Sequence, residues 1–122
     1  MKTILLAEDN EPIRRIVQRS LSRIHRQVIP AADGWEAWQE YILHRDRIDL
    51  VITDHDMPRM NGAQLIQEIR KDELKRTPII LMSAHDLGDN VRELYNVQDF
   101  LLKPFNINKL YELVNAHIGG YH

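Results

Sequence analysis

Short apolar runs alternate with stretches of helical period along the whole chain. Five runs have the length and aliphatic content of strands: Thr3–Ala7, Gln27–Ala31, Asp49–Thr53, Pro78–Ser83 and Asp99–Leu102. The first, third and fourth are continuously apolar at their centres, as Ile4-Leu5-Leu6-Ala7, Leu50-Val51-Ile52 and Ile79-Ile80-Leu81-Met82. Strands covered on both faces of a parallel sheet have that pattern. Five amphipathic stripes fall in the other segments. Ile13, Ile16, Val17, Leu21 and Ile24 make the first, and Trp35, Trp38, Tyr41 and Ile42 the second. Leu65, Ile66 and Ile69 make the third, and Leu87, Val91, Leu94 and Tyr95 the fourth. Ile107, Leu110, Val114 and Ile118 make the last. Helix-boundary signals agree: Pro12 suits a first turn, Asp33 with Glu36 reads as a capping box, and Asn61 and Asn106 suit N-caps. Gly119-Gly120 closes the last helix.

This alternation predicts an α/β fold: one doubly wound (βα)5 domain with a five-stranded parallel sheet and helices on both faces. Pro30 sharpens the topology. Proline donates no ladder hydrogen bond, so the second strand belongs at an edge with the first strand inside it. The order 2-1-3-4-5 satisfies this, and in such sheets ligands bind beyond the carboxyl ends of the strands.

Composition narrows the class. The chain has 122 residues, 16 Lys+Arg, 18 Asp+Glu and a formal net charge of −2, with no cysteine. That length suits one domain, read here as 1–122, and leaves no room for an output domain. Without cysteine there is no disulfide framework, thiolate zinc site or thiol nucleophile. Balanced charge argues against a direct nucleic-acid partner, and no apolar run approaches a membrane span. The expected location is the cytoplasm. No repeat or low-complexity segment interrupts the pattern.

The chemistry-bearing residues collect at the strand ends. Glu8 and Asp9 follow the first strand, Asp54-His55-Asp56 the third, Ser83 ends the fourth, and Lys103-Pro104 follows the fifth. In the expected order these ends are neighbours. Clustered carboxylates repel and raise one another's pKa, which a hard divalent cation relieves. A lysine and a hydroxyl opposite such a cation would hold phosphoryl oxygens. A central carboxylate can itself act as nucleophile and form an acyl phosphate, and Asp54 is placed for that role.

The ordered motifs resemble the receiver domain of two-component response regulators. The resemblance runs through Leu5-Leu6-Ala7-Glu8-Asp9-Asn10, Ala32-Asp33-Gly34-Trp35-Glu36-Ala37 and Leu50 to Gly62 around Asp54. It continues through Pro78-Ile79-Ile80-Leu81-Met82-Ser83-Ala84 and Asp99-Phe100-Leu101-Leu102-Lys103-Pro104-Phe105, so it covers nearly the whole chain. It implies that Asp54 is the phosphoacceptor. It also implies that Asp9, Asp54 and the Asp56 backbone carbonyl bind Mg²⁺ or Mn²⁺, with Glu8 acting mostly through a metal-bound water. Lys103 would pair with the phosphoryl group and with the resting carboxylates, and the Lys103-Pro104 bond would be cis. Ser83 and Phe100 would form the switch, and Asp56 and His85 would tune the lifetime of the phosphoryl group. The implied donor is a sensor histidine kinase or histidine phosphotransfer protein. A downstream protein would read the 86–118 face, and phosphorylation can bring two copies together as a homodimer. Such a domain is a signalling phosphoacceptor with self-catalysed phosphotransfer and slow autodephosphorylation, not an enzyme with turnover. One departure is Asn96-Val97, where the family often has Gly-Ala before the fifth strand. Asn tolerates the left-handed backbone that such a turn needs.

Two other classes fit parts of the pattern. Asp54-His55-Asp56 also matches the Asp-x-Asp motif of haloacid-dehalogenase-like Mg²⁺ phosphohydrolases, although there the motif ends the first strand. A scaffold that is never phosphorylated is the third reading, but such receivers generally lose an acid or the lysine, and this chain keeps all of them. Read singly, most candidates are bland. The scattered histidines are expected at the surface, Trp38 in the core, and the segment 70–76 as a solvated helix end.

Overall fold

The computed structural model describes residues 1–23, 26–72 and 74–119. The elements alternate as the hydrophobic pattern requires. They are β1 (Lys2–Ala7), α1 (Glu11–Ser22), β2 (Arg26–Ala31), α2 (Gly34–His44), β3 (Ile48–Asp54) and α3 (Gly62–Arg70). β4 (Ile79–Ser83), α4 (Val91–Tyr95), β5 (Asp99–Leu102) and α5 (Ile107–Ile118) complete the chain. The strands form one parallel sheet in the order β2-β1-β3-β4-β5, as expected, with Pro30 on the edge strand opposite Leu6. Leu6 in turn faces Ile52, and Ile52 faces Ile80, so the three apolar strands lie side by side at the centre.

Alternation along each strand divides the core in two. Leu5, Ala7, Val51 and Leu81 join Ala37, Tyr41, Leu65 and Ile69 on the face covered by α2 and α3. Ile4, Leu6, Ile52 and Met82 join Val17, Leu21, Leu110 and Val114 on the face covered by α1 and α5. Burying each Val, Leu, Ile or Met among them stabilises the fold by roughly 1.5–3 kcal/mol before entropy is counted. Trp38 packs against the first cluster and stacks on Tyr41, their centroids 5.9 Å apart, whereas Trp35 is exposed.

The helix starts follow local chemistry. Asn10, Asp33, Asn61 and Asn106 each accept a backbone N–H in the first turn of the helix that follows. The full reciprocal capping box forms at Asn61 with Gln64. At Asp33 the forward half forms, with Oδ1 accepting the Glu36 N–H at 2.8 Å, and the second carboxylate oxygen accepts Arg59 Nε at 2.9 Å. Asn96 closes α4 in the left-handed region at φ 57°, so the turn before β5 survives without glycine, and Val97 is buried behind it.

Several stripe assignments need correction. Ile16, Ile42 and Leu94 share their helices' apolar period but are exposed, because each lies at the margin of a stripe wider than the sheet can cover. α4 has only five residues and begins at Val91, so Leu87 lies in the preceding loop. Ile24, His25, Gly120 and His122 lie outside the described residues.

The segment 70–76 is not simply solvated. Arg70 is half-buried and donates to the carbonyls of Thr77 and Asn96 at 2.6 and 2.9 Å and to Gln98 Oε1 at 3.0 Å. It ties the end of α3 to the start of β4 and β5. The histidines are not uniformly at the surface either, since His55 and His117 are part-buried and hydrogen-bonded.

Candidate functional site

The loops after β1, β3, β4 and β5 meet at the carboxyl end of the sheet. Glu8 follows β1 and is fully buried, while Asp9 beside it is exposed. Three bonds fix Glu8: its N–H donates to the Ala31 carbonyl at 3.1 Å, its Oε2 accepts the Asn10 N–H at 3.1 Å, and its carbonyl accepts Arg14 Nη1 at 2.9 Å. Asp54 is the last residue of β3, buried, and paired in register with Met82. One atom of each carboxylate of Glu8, Asp9 and Asp54 lies within 4.8 Å of the others.

Lys103 enters this group from the end of β5. Its N–H donates to the Ser83 carbonyl at 2.7 Å, and its peptide bond to Pro104 is cis. Its Nζ donates to Glu8 Oε1 and lies 3.3 Å from Asp54 Oδ1. Burial, with the Glu8 charge beside it, pushes the Asp54 carboxyl up to about 6 despite Lys103. For Lys103, burial acts to lower the pKa, but the bonds and charges of Glu8 and Asp54 outweigh it and the net direction is up.

Ser83 is fully buried at the end of β4, and its Oγ accepts the His85 N–H at 2.9 Å. Phe100 is half-buried, opposite Leu81 in register and packed against the core cluster under α2 and α3. Of the residues singled out from sequence, the structure therefore brings Glu8, Asp9, Asp54, Ser83 and Lys103 to one end of the sheet. The Asp56 carboxylate is exposed and outside the acid cluster, with Oδ1 3.0 Å from His55 Nδ1. His85 is exposed.

Three further residues shape the site. A Cβ on Gly62 would lie 2.3 Å from the Asp54 carbonyl oxygen, so no side chain fits there. Its N–H donates to the His55 carbonyl at 2.9 Å and closes the loop. Arg59 sits at φ 66° with its Nη2 2.7 Å from Asp33 Oδ2, tethering the same loop to the start of α2. His55 reaches Tyr95 on α4. The Gly62 position was visible as part of a motif. The Arg59 and His55 partners, far away in sequence, had no local signal.

Three carboxylates facing one ammonium make a donor set that suits a hard, oxygen-preferring divalent cation. Asp54-His55-Asp56 follows the third strand and the acidic pair follows the first, which disfavours the Asp-x-Asp phosphohydrolase arrangement, where the motif ends the first strand.

Comparison with known proteins agrees. The profile of the response regulator receiver domain matches residues 4–115. The chain is 35% identical over 113 residues to the two-component response regulator-like protein PRR73 of Oryza sativa subsp. indica, covering 90% of the chain. It spans only 15% of that relative's length. It is 32% identical over 120 residues to chemotaxis protein CheY1 of Helicobacter pylori (strain ATCC 700392 / 26695), covering 95% of the chain and 96% of CheY1. Among solved structures it resembles the response regulator TrrA of Thermotoga maritima in complex with Mg(2+)-BeF. The TM-score is 0.82 at 30% identity, covering 95% of this chain and 98% of the other.

Proposed function

The chain belongs to the response regulator receiver domain family, and from that premise we propose that Asp54 accepts a phosphoryl group and so switches a partner-binding face. The family consists of signalling phosphoacceptors, phosphorylated by histidine kinases or phosphotransfer proteins, that bind Mg²⁺ at an acidic pocket. The observation that carries the residue-level reading is the convergence of Glu8, Asp9, Asp54 and Lys103 at the end of a parallel sheet.

In this reading an Asp54 carboxylate oxygen forms a bond to phosphorus as the phosphorus–nitrogen bond of a phosphohistidine breaks, and the departing imidazole takes its proton from solvent. Lys103 Nζ neutralises part of the charge on the phosphoryl oxygens, and Ser83 Oγ donates to one of them. Asp9, Asp54 and the Asp56 carbonyl would hold Mg²⁺ or Mn²⁺, with Glu8 behind them. When bound, the cation neutralises phosphoryl charge and orients the group for in-line transfer. Phe100 and Ser83 shift together as the packing changes, and the 86–118 face then meets a different downstream protein or a second copy. Residues 1–122 act as one receiver unit, placed in the cytoplasm beside the kinase's phosphohistidine.

Incubation with acetyl phosphate and Mg²⁺ tests this reading. One stable phosphoryl group per chain on Asp54, lost in Asp54→Asn, is the expected result. Multiple turnover of p-nitrophenyl phosphate, or no labelling of the folded protein, overturns it.

A further inference from the structure

One connection at the site leads out of it. The His55 backbone is held on both sides, its N–H donating to the Met82 carbonyl at 2.7 Å and its carbonyl accepting the Gly62 N–H at 2.9 Å. Its imidazole is thereby aimed from the Asp54 loop toward α4. Nδ1 lies 3.0 Å from Asp56 Oδ1, and Nε2 lies 3.3 Å from the Tyr95 hydroxyl. The Tyr95 ring stands edge-on to the imidazole, with centroids 5.5 Å apart and planes at 89°. One neutral tautomer satisfies both bonds: Nδ1–H donates to the carboxylate and Nε2 accepts the tyrosine O–H.

Few other contacts hold α4: Arg92 Nη2 donates to Asp99 Oδ1 at 2.9 Å on its exposed side, and the carbonyl of its C-cap Asn96 accepts Arg70 Nε at 2.9 Å. The helix has five residues, its N-cap Asn90 makes no side-chain capping bond, and only Val91 is fully buried in the core. Tyr95 is the next most enclosed residue of the helix, and its polar end rests on His55. A helix this short does not persist on its own, so the contacts at its ends decide where it sits.

We propose that His55 is a positioning residue that links the Asp56 side chain, two residues from Asp54, to the seating of α4 through Tyr95. Occupancy of the Asp54 site then biases α4 by a route separate from Ser83 and Phe100. This rests on the reading of Asp54 given above. Linkage makes the effect reciprocal: if the site biases Tyr95, then Tyr95 changes the site's affinity by the same factor.

The test is a double-mutant cycle on the full chain. Beryllofluoride with Mg²⁺ serves as the phosphoryl mimic, and binding is followed by NMR of the backbone amides of residues 54–57 and 91–95. Tyr95→Phe and His55→Gln, which keeps a group near the Nε2 position but not the Asp56 bond, should each shift the half-saturating concentration about 3- to 10-fold in the same direction. The double variant should shift it no further. His55→Asn, which retains a donor near Nδ1 but cannot reach Tyr95, should match Tyr95→Phe. Independent shifts that multiply in the double variant, or no shift in Tyr95→Phe, overturn the proposal. Should the His55 variants not fold, Tyr95→Phe alone decides: the His55 ring nitrogens and the Asp56 amide must change resonance, and unchanged resonances overturn it. Failure of the wild-type protein to bind beryllofluoride would instead remove the Asp54 reading on which the link depends.

Discussion

Lys103 Nζ lies 3.3 Å from Asp54 Oδ1 while also donating to Glu8, so a single ammonium serves two buried carboxylates contributed by different strands. The lysine side chain is itself only 14% exposed, which leaves little water to compensate if it is lost.

Replacing Lys103 by Met should therefore destabilise the fold by about 3 kcal/mol at neutral pH, since a buried pair that loses one partner leaves uncompensated charge. Urea denaturation measures this. Added Mg²⁺ should recover part of the loss by supplying positive charge to the same carboxylates, while labelling of Asp54 by acetyl phosphate should disappear.

The raised pKa of Asp54, about 6 against an ordinary 3.8, has a defined sign. Above about pH 6 the folded protein holds a carboxylate that burial and Glu8 disfavour. As pH falls toward 4 the folded state takes up the proton first, and the penalty fades. Keeping that carboxylate ionised costs the fold on the order of 3 kcal/mol. In EDTA, Asp54→Asn should melt higher than wild type at about pH 7.5, and the gap should close near pH 4. A gap of constant size across that range would contradict the assignment.

Asp9 is the exposed member of the acid cluster, so removing it should affect cation binding far more than folding. Saturating Mg²⁺ at a hundred times its dissociation constant should stabilise the wild type by about 2.7 kcal/mol. Calorimetric melting should show that gain lost in Asp9→Ala at the same concentration, with the EDTA melting temperatures of the two proteins within a few degrees of each other.

Arg70 supports the far end of the sheet. Arg70→Met takes the donor from the carbonyls of Thr77 and Asn96 and leaves Gln98 Oε1 only the Ile79 N–H, and should cost about 2 kcal/mol in chemical denaturation. Because these bonds lie at the opposite end of β4 and β5 from Asp54, the folded variant should still accept one phosphoryl group per chain.

What could be read from the sequence was set by local periodicity. Continuous apolar runs marked β1, β3 and β4 as strands buried on two faces, and Pro30 alone was enough to put β2 at the edge. Once that order held, the ends of four separate strands had to converge, which is why Glu8, Asp9, Asp54, Ser83 and Lys103 were legible as candidates in the sequence. Asn96 was likewise legible, because few side chains accept φ 57°.

Other features depend on partners distant along the chain. The exposure of Ile16, Ile42 and Leu94 depends on how far the sheet extends beneath each helix, which periodicity does not report. The bonds of Arg70 to Gln98, Arg59 to Asp33 and His55 to Tyr95 join residues 26 to 40 positions apart, where no local pattern relates them. The sequence by itself determined the elements, their order and the identity of the acids, because burial on two faces and the lack of a proline N–H are properties of single residues and short runs. Only the tertiary structure decided which carboxylates share Lys103, which way Asp56 turns, and what holds α4. Those depend on distances of a few ångströms between side chains that meet only when the sheet is assembled.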